Sequence, residues 1–292
     1  DQIRRLFALD EIGKERLEQI ISTYNSLTEL MVFALLSQLW DTKFLKSDAD
    51  ISAEAKKVIN SYFQQEVEEL SFYDYMKLLR AIREVFEENN IEFFIEEFSE
   101  LRKLIYEDEV FSGAHEYLQM IKQQLYKERD KIGGDEMRNY CINGERHLSS
   151  IFAKLGFLVK YKLVTVKGIG LIKARHKNPT YRVKKVFLDN ITAGLLDEEA
   201  MYDTFTDNNA VILLKAKDNF ADYLNLSPFI IDENALIGER KSKLYFFSHY
   251  DKEKGNYHYK FAFNTGDKLM VNDQKYPEVK SDFTNFSQLI LG

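Results

Sequence analysis

Residues 154–189 read KLGFLVKYKLVTVKGIGLIKARHKNPTYRVKKVFLD, and the hydrophobic period of the chain changes within them. Upstream, apolar residues recur every three or four positions, as on one face of a helix. From Phe157 onward they alternate, and β-branched and aromatic residues take over, as in half-buried strands. This switch predicts an α+β chain: an N-terminal all-helical bundle over 1–155, then a mainly antiparallel β-rich domain over 156–292.

Composition divides near the same place. Residues 1–150 carry 19 Lys and Arg against 30 Asp and Glu, a net of −11; residues 151–292 carry 21 against 17, a net of +4. Upstream of Gly113 the only glycine is Gly13, and the first proline is Pro179. So long a stretch without breakers favours helices. Ser26-Leu27-Thr28-Glu29 has capping-box spacing and predicts a helix start there, opening an apolar helix over about 27–45. Its stripe of Leu27, Leu30, Met31, Phe33, Leu36, Leu39 and Trp40 suits the central helix of the bundle. Ser71 is placed to open a second helix bearing Phe72, Met76, Leu79, Ile82 and Phe86. Further stripes follow at Phe94–Ile105 and Leu118–Leu125, and after Gly133-Gly134 at Met137–Leu155, for six or seven helices in all.

In the second half the expected strands are 157–166, 169–175, 181–189, 210–217, 228–232, 243–250, 257–263 and 268–272, with a helix expected near 195–205 or 218–225. The segment Asp251–Asn256 (DKEKGN) separates two of these strands, and Gly255-Asn256 can take the positive φ of a hairpin turn. Gly168-Ile169-Gly170 lacks the third glycine and following helix of a dinucleotide loop, so it reads as another tight turn.

Residues 154–185 hold ten Lys or Arg and no Asp or Glu. Basic residues at i and i+2 share one side of a strand, and three such pairs occur: Lys160/Lys162, Lys173/Arg175 and Arg182/Lys184. On adjacent strands these six would form a cationic face for nucleic acid or another polyanion. The same face could instead dock on the chain's own Glu-rich helices, such as 84–100, or on the acidic surface of another protein.

Catalytic and metal signatures are weak. One cysteine, Cys141, excludes an internal disulfide, fits a reducing compartment and falls on an apolar stripe as a core residue. His115, His147, His176, His249 and His258 lack zinc-ligand spacing, although His249 and His258 sit on opposite arms of the expected hairpin. Asp232 with Glu239-Arg240-Lys241 fits the letters of a metal-dependent nuclease, but other acid-x-Lys triplets occur in so charged a chain. No cofactor or metal is expected. The longest purely apolar run, Leu30–Leu36, is far short of a membrane span, and the first residues lack a secretory signal, so a cytoplasmic location is expected. These readings favour a non-catalytic interaction or regulatory module, or a subunit of a larger microbial multi-protein assembly with protein partners. A nucleic-acid-binding protein is the alternative, and a metal-dependent nuclease or other enzyme the third reading.

Overall fold

The computed structural model describes residues 2–45, 49–70, 72–128, 131–188, 198–204, 206–216, 219–239, 241–262 and 266–292. Helices come first: α1 (Gln2–Ala8), α2 (Lys14–Leu45), α3 (Ala53–Phe63), α4 (Val67–Leu70), α5 (Tyr75–Glu88), α6 (Leu101–Tyr106), α7 (Glu109–Lys127) and α8 (Gly134–Lys154). Then follow β1 (Lys162–Ile172), β2 (Thr180–Phe187), β3 (Glu198–Tyr202), β4 (Val211–Leu214), β5 (Tyr223–Asn225), β6 (Ile230–Asp232), α9 (Glu233–Leu236), β7 (Leu244–Asp251), β8 (Asn256–Phe261), β9 (Lys268–Val271) and α10 (Pro277–Ile290). The fold is therefore α+β, helical first and then antiparallel β.

The chain forms two compact units. One comprises Asp1–Val32 and Lys57–Leu158, the other Phe33–Lys56 and Val159–Gly292. The helix α2 thus supplies residues to both, and from Phe33 on it belongs with the β-rich unit. Among the described residues α2 is the one helix long and apolar enough to cross a membrane, at a mean hydropathy of 1.3. Because 72% of that apolar window is buried within the protein, core packing accounts for its composition.

The first unit is held by apolar faces at helical spacing. Buried there are Leu17, Ile20, Ile21 and Tyr24 of α2, Met76, Leu79, Ile82 and Phe86 of α5, Phe111, Leu118, Ile121 and Leu125 of α7, and Met137, Cys141, Leu148 and Ile151 of α8. Cys141 is the core residue expected; its Sγ donates to Gly13 O at 3.3 Å, and burial raises the thiol pKa. The helix expected to begin near Leu27 instead begins at Lys14. The apolar stripe continues upstream through Leu17 and Ile20, so Ser26 is interior rather than a cap. Thr28 turns its hydroxyl back onto Tyr24 O and Asn25 O, the usual fate of a threonine inside a helix. The observed cap of α5 is Asp74, which accepts from Met76 N at 2.9 Å; Ser71 lies outside the described residues.

Charged and polar groups are also buried in this unit, and two of them are held by several partners. Lys122 donates to Asn25 Oδ1 at 2.8 Å and to Tyr73 O at 2.7 Å, with its ammonium 5.1 Å from the Tyr75 ring centre. The Tyr24 hydroxyl meets His115 Nδ1 at 2.5 Å, and His115 Nε2 lies 3.7 Å from Asp74 Oδ1. Burial pushes the Tyr24 phenol pKa well up. Tyr24 and His115 are buried, while the Asp74 end of the relay is 35% exposed.

The second unit contains two antiparallel sheets, ordered β3-β2-β1-β4-β5 and β6-β7-β8-β9. On the first, Val164, Val166, Val183, Phe187, Ala210, Ile212, Leu214 and Phe220 form a core cluster. The expected strand break at Gly168–Gly170 does not occur. β1 runs through both glycines and answers the irregularity with a register shift between Val166 and Gly168 against β2. Where a helix was expected near 195–205 or 218–225, strands β3 and β5 stand instead, because the register with β2 and β4 overrides weak local preference. Of those two ranges, residues 195–197, 205 and 218 lie outside the described residues. The expected strand start at Phe157 is a 3-10 turn over Gly156–Lys160. The hairpin turn is found as expected: β7 and β8 close over Asp251–Asn256, with Gly255 at φ +66°.

An aromatic cluster ties α2 and α10 to the second sheet. Phe33 stacks on Phe229 with centroids 5.7 Å apart, and Phe229 meets Phe286 at 5.0 Å and Phe283 at 5.6 Å. Phe283 stacks on Tyr257 at 4.4 Å, and Trp40 meets Phe286 edge-on at 6.0 Å. Buried aromatic side chains of this size each contribute about 1.5–3 kcal/mol from area alone. The cluster anchors the last turns of α2 through Trp40 and the middle turns of α10 through Phe283 and Phe286, two elements that border a cleft.

Candidate functional site

Within the second unit a cleft of about 570 Å³ is walled by the end of α2, the segment before β4, the end of β5 and the start of α10. That volume is in the range of small-ligand or side-chain pockets. Its aromatic and apolar lining includes Trp40, Phe44, Ile231, Leu236, Tyr276 and Val279. Into the same space come four carboxyl groups, Asp41, Asp207, Glu278 and Asp282.

The spacing of each element explains the convergence. Trp40, Asp41 and Phe44 occupy the last turns of α2, where Phe44 is left 76% exposed at the rim. Glu278 and Asp282 are four apart on α10, so they share a helix face. Asp207 is held from β5: its Oδ2 accepts from Asn225 Nδ2 at 2.9 Å and from the Tyr223 hydroxyl at 3.3 Å. Asn225 in turn receives Ser227 N at 2.9 Å. The Tyr276 hydroxyl donates to Glu233 Oε1 at 3.1 Å, fixing the opposite wall.

Crowding of like charge perturbs these acids. Asp41 is exposed, on the wall of the concave cleft. Desolvation first, and then the charge of Asp207, raise its pKa to about 7. Desolvation, followed by Asp207 and Glu278, raises Asp282 to about 6. Asp207 contributes to both, so the cleft is an electrostatic unit short of positive charge. Two of its lining residues, Asn209 (φ +53°) and Tyr276 (φ +59°), hold the left-handed backbone region that non-glycine residues rarely adopt. Such conformations cost about 1–3 kcal/mol each and concentrate at functional sites.

The six cations singled out in the sequence lie elsewhere and are not gathered on one face. Lys160 is in the 3-10 turn and Lys162 opens β1, its Nζ donating to Val159 O at 3.1 Å. Lys173 and Arg175 follow the other end of β1, about 33 Å away along an extended strand of this length. Only Arg182 and Lys184 form a pair within a strand; both are exposed, and Lys184 is ion-paired with Glu199 at 3.3 Å. Their neighbour Lys185 turns inward, its Nζ 2.5 Å from the Tyr202 hydroxyl and about 5 Å from the ring centres of Phe187, Tyr202 and Phe220.

The nuclease letters do not assemble either. Asp232 is buried as the cap of α9, its Oδ1 accepting from Asn234 N and Lys243 N, while Glu239 and Lys241 lie in the connection to β7 rather than on a strand. His249 and His258 do approach, as rings stacked 4.5 Å apart. Among the described residues no group of three or more His, Cys, Asp or Glu is arranged to hold a metal ion.

The acids of the cleft escaped the sequence reading because each is separately an ordinary surface carboxylate. Their one local signal was the Glu278/Asp282 spacing ahead of Phe283 and Phe286. Comparison with known proteins adds no identity to this geometry: no protein-family model, curated protein or solved structure matches the chain.

Proposed function

We propose that the chain is a non-catalytic binding module whose second unit receives a cationic segment of a partner protein in the Asp41/Asp207/Asp282 cleft. The observation that carries this reading is the convergence of these carboxyl groups on one apolar-walled cleft, where Asp207 helps to raise the pKa of both Asp41 and Asp282. A lysine or arginine side chain placed among them would relieve that repulsion, while its aliphatic stem would lie along Trp40, Val279 and Leu236. An ammonium or guanidinium near Trp40 or Tyr276 would gain cation–π attraction as well.

Trp40 is the chain's single tryptophan and lines the cleft, so its fluorescence reports on occupancy. Titration with a tetra-arginine peptide should change that signal, and a tetra-glutamate peptide should not. Asp207→Asn should weaken the response at least several-fold. Affinity should also rise between pH 6 and pH 8, since the bound cation favours ionised Asp41, whose pKa in the free protein is about 7. A response equal for both peptides, or flat across this pH range, would remove the reading.

A further inference from the structure

The hairpin β1–β2 carries an independent surface. From Gly168 onward β1 has, among the described residues, β2 as its only strand partner, because its pairing with β4 ends at Thr165. Beyond it the residues Gly170–Asn178, GLIKARHKN, are exposed without interruption. This stretch contains Lys173, Arg175, His176 and Lys177 and no acidic residue, and the exposed Arg182 lies directly across from Gly170. Its turn has a defined shape: Lys177 N donates to Ala174 O at 3.2 Å, the Lys173 ammonium donates to Lys177 O at 2.7 Å, and His176 holds φ +61°.

We infer that this ribbon is a duplex nucleic-acid contact that binds chiefly the phosphate backbone, through Lys173, Arg175, Lys177 and Arg182. Three properties favour a duplex over an acidic protein or a single strand. A two-stranded ribbon has the width that a major groove admits. The tip presents cations along a narrow ridge instead of the broad apolar centre that a protein interface needs, with Leu171 (65% exposed) as its main apolar group. Residues 170–178 contain no Phe, Tyr or Trp, so the platform on which single-stranded bases stack is missing there. The surface is separate from the acidic cleft, and either can fail without the other.

The test is fluorescence anisotropy of the full chain with a fluorescein-labelled 20-base-pair DNA duplex, and with an RNA duplex of the same sequence. With four phosphates neutralised, affinity should fall about 150-fold between 50 and 200 mM salt. Removing three cations together (Lys173→Ala, Arg175→Ala, Lys177→Ala) should abolish binding, and Arg175→Glu alone should weaken it at least tenfold. Unchanged circular dichroism and melting would show that these variants fold, as expected for substitutions at an exposed tip. No binding at 50 mM salt, equal binding by the triple variant, or a poly-glutamate peptide binding as tightly as the duplexes would each overturn the inference. The last of these outcomes would reassign the ribbon to an acidic protein.

Discussion

Replacing Asp282 with asparagine keeps the shape of the side chain and removes one charge from the cleft. In the folded protein the carboxyl pKa stands at about 6 against an ordinary 3.8, raised by desolvation and then by Asp207 and Glu278. A rise of that size corresponds to about 3 kcal/mol if undiminished. Asp282 is only partly buried, and solvent screening reduces this to roughly 1–1.5 kcal/mol. The sign follows from proton binding. Below pH 3.8 the group is protonated in both states and contributes nothing to stability. Between about pH 4 and 6 the folded state keeps a proton that the unfolded state has released, so stability falls as pH rises; above that the loss is complete and constant. The Asp282→Asn protein never incurs this loss. Relative to the parent it should be unchanged at pH 4, apart from any pH-independent packing difference, and more stable by about 1–1.5 kcal/mol at pH 7.5. For a protein of this size that is an increase in Tm of about 2–5 °C. Thermal unfolding by far-ultraviolet circular dichroism from pH 4 to pH 8 measures it. A Tm difference that is the same at every pH, or a variant less stable at pH 7.5 than at pH 4 relative to the parent, would refute the like-charge account of the cleft.

Phe229→Ala removes a fully buried ring that touches Phe33, Phe283 and Phe286, and should cost about 3–5 kcal/mol; urea unfolding followed by Trp40 fluorescence reads it in the same unit. Lys122→Ala leaves Asn25 Oδ1 and Tyr73 O without this buried donor and should destabilise the helical unit by about 2–4 kcal/mol in thermal unfolding; a loss below about 1 kcal/mol would show that other groups or water replace the ammonium. Gly113→Ala, within α7 where an added Cβ would meet nothing within 4 Å, should stabilise by about 0.5–1 kcal/mol in the same assay through helix propensity alone.

Legibility in the sequence followed the range of the interaction concerned. The capping-box letters at Ser26–Glu29 misplaced a helix start, because Leu17, Ile20 and Tyr24 carry the stripe further upstream and tertiary burial outweighs a cap worth about 1 kcal/mol. The Gly168–Gly170 turn was misplaced for a related reason. Ladder pairing with β2 carries the strand through both glycines at the expense of one irregularity in register. The six-cation face failed as a geometric idea because it required three adjacent strands where there are two, and its members fall at opposite ends of β1.

Sequence alone determined the order of classes, helical and then antiparallel β, together with the β7–β8 turn and the burial of Cys141. Each depends on periodicity or turn chemistry within a dozen residues, and these act wherever the chain goes. Tertiary structure alone decided that α2 serves two units, that Lys122 and Lys185 are interior, and that Asp41, Asp207 and Asp282 share one cleft. These last depend on residues more than 70 positions apart meeting in space. Like charges raise one another's pKa only across a distance that the folded chain sets.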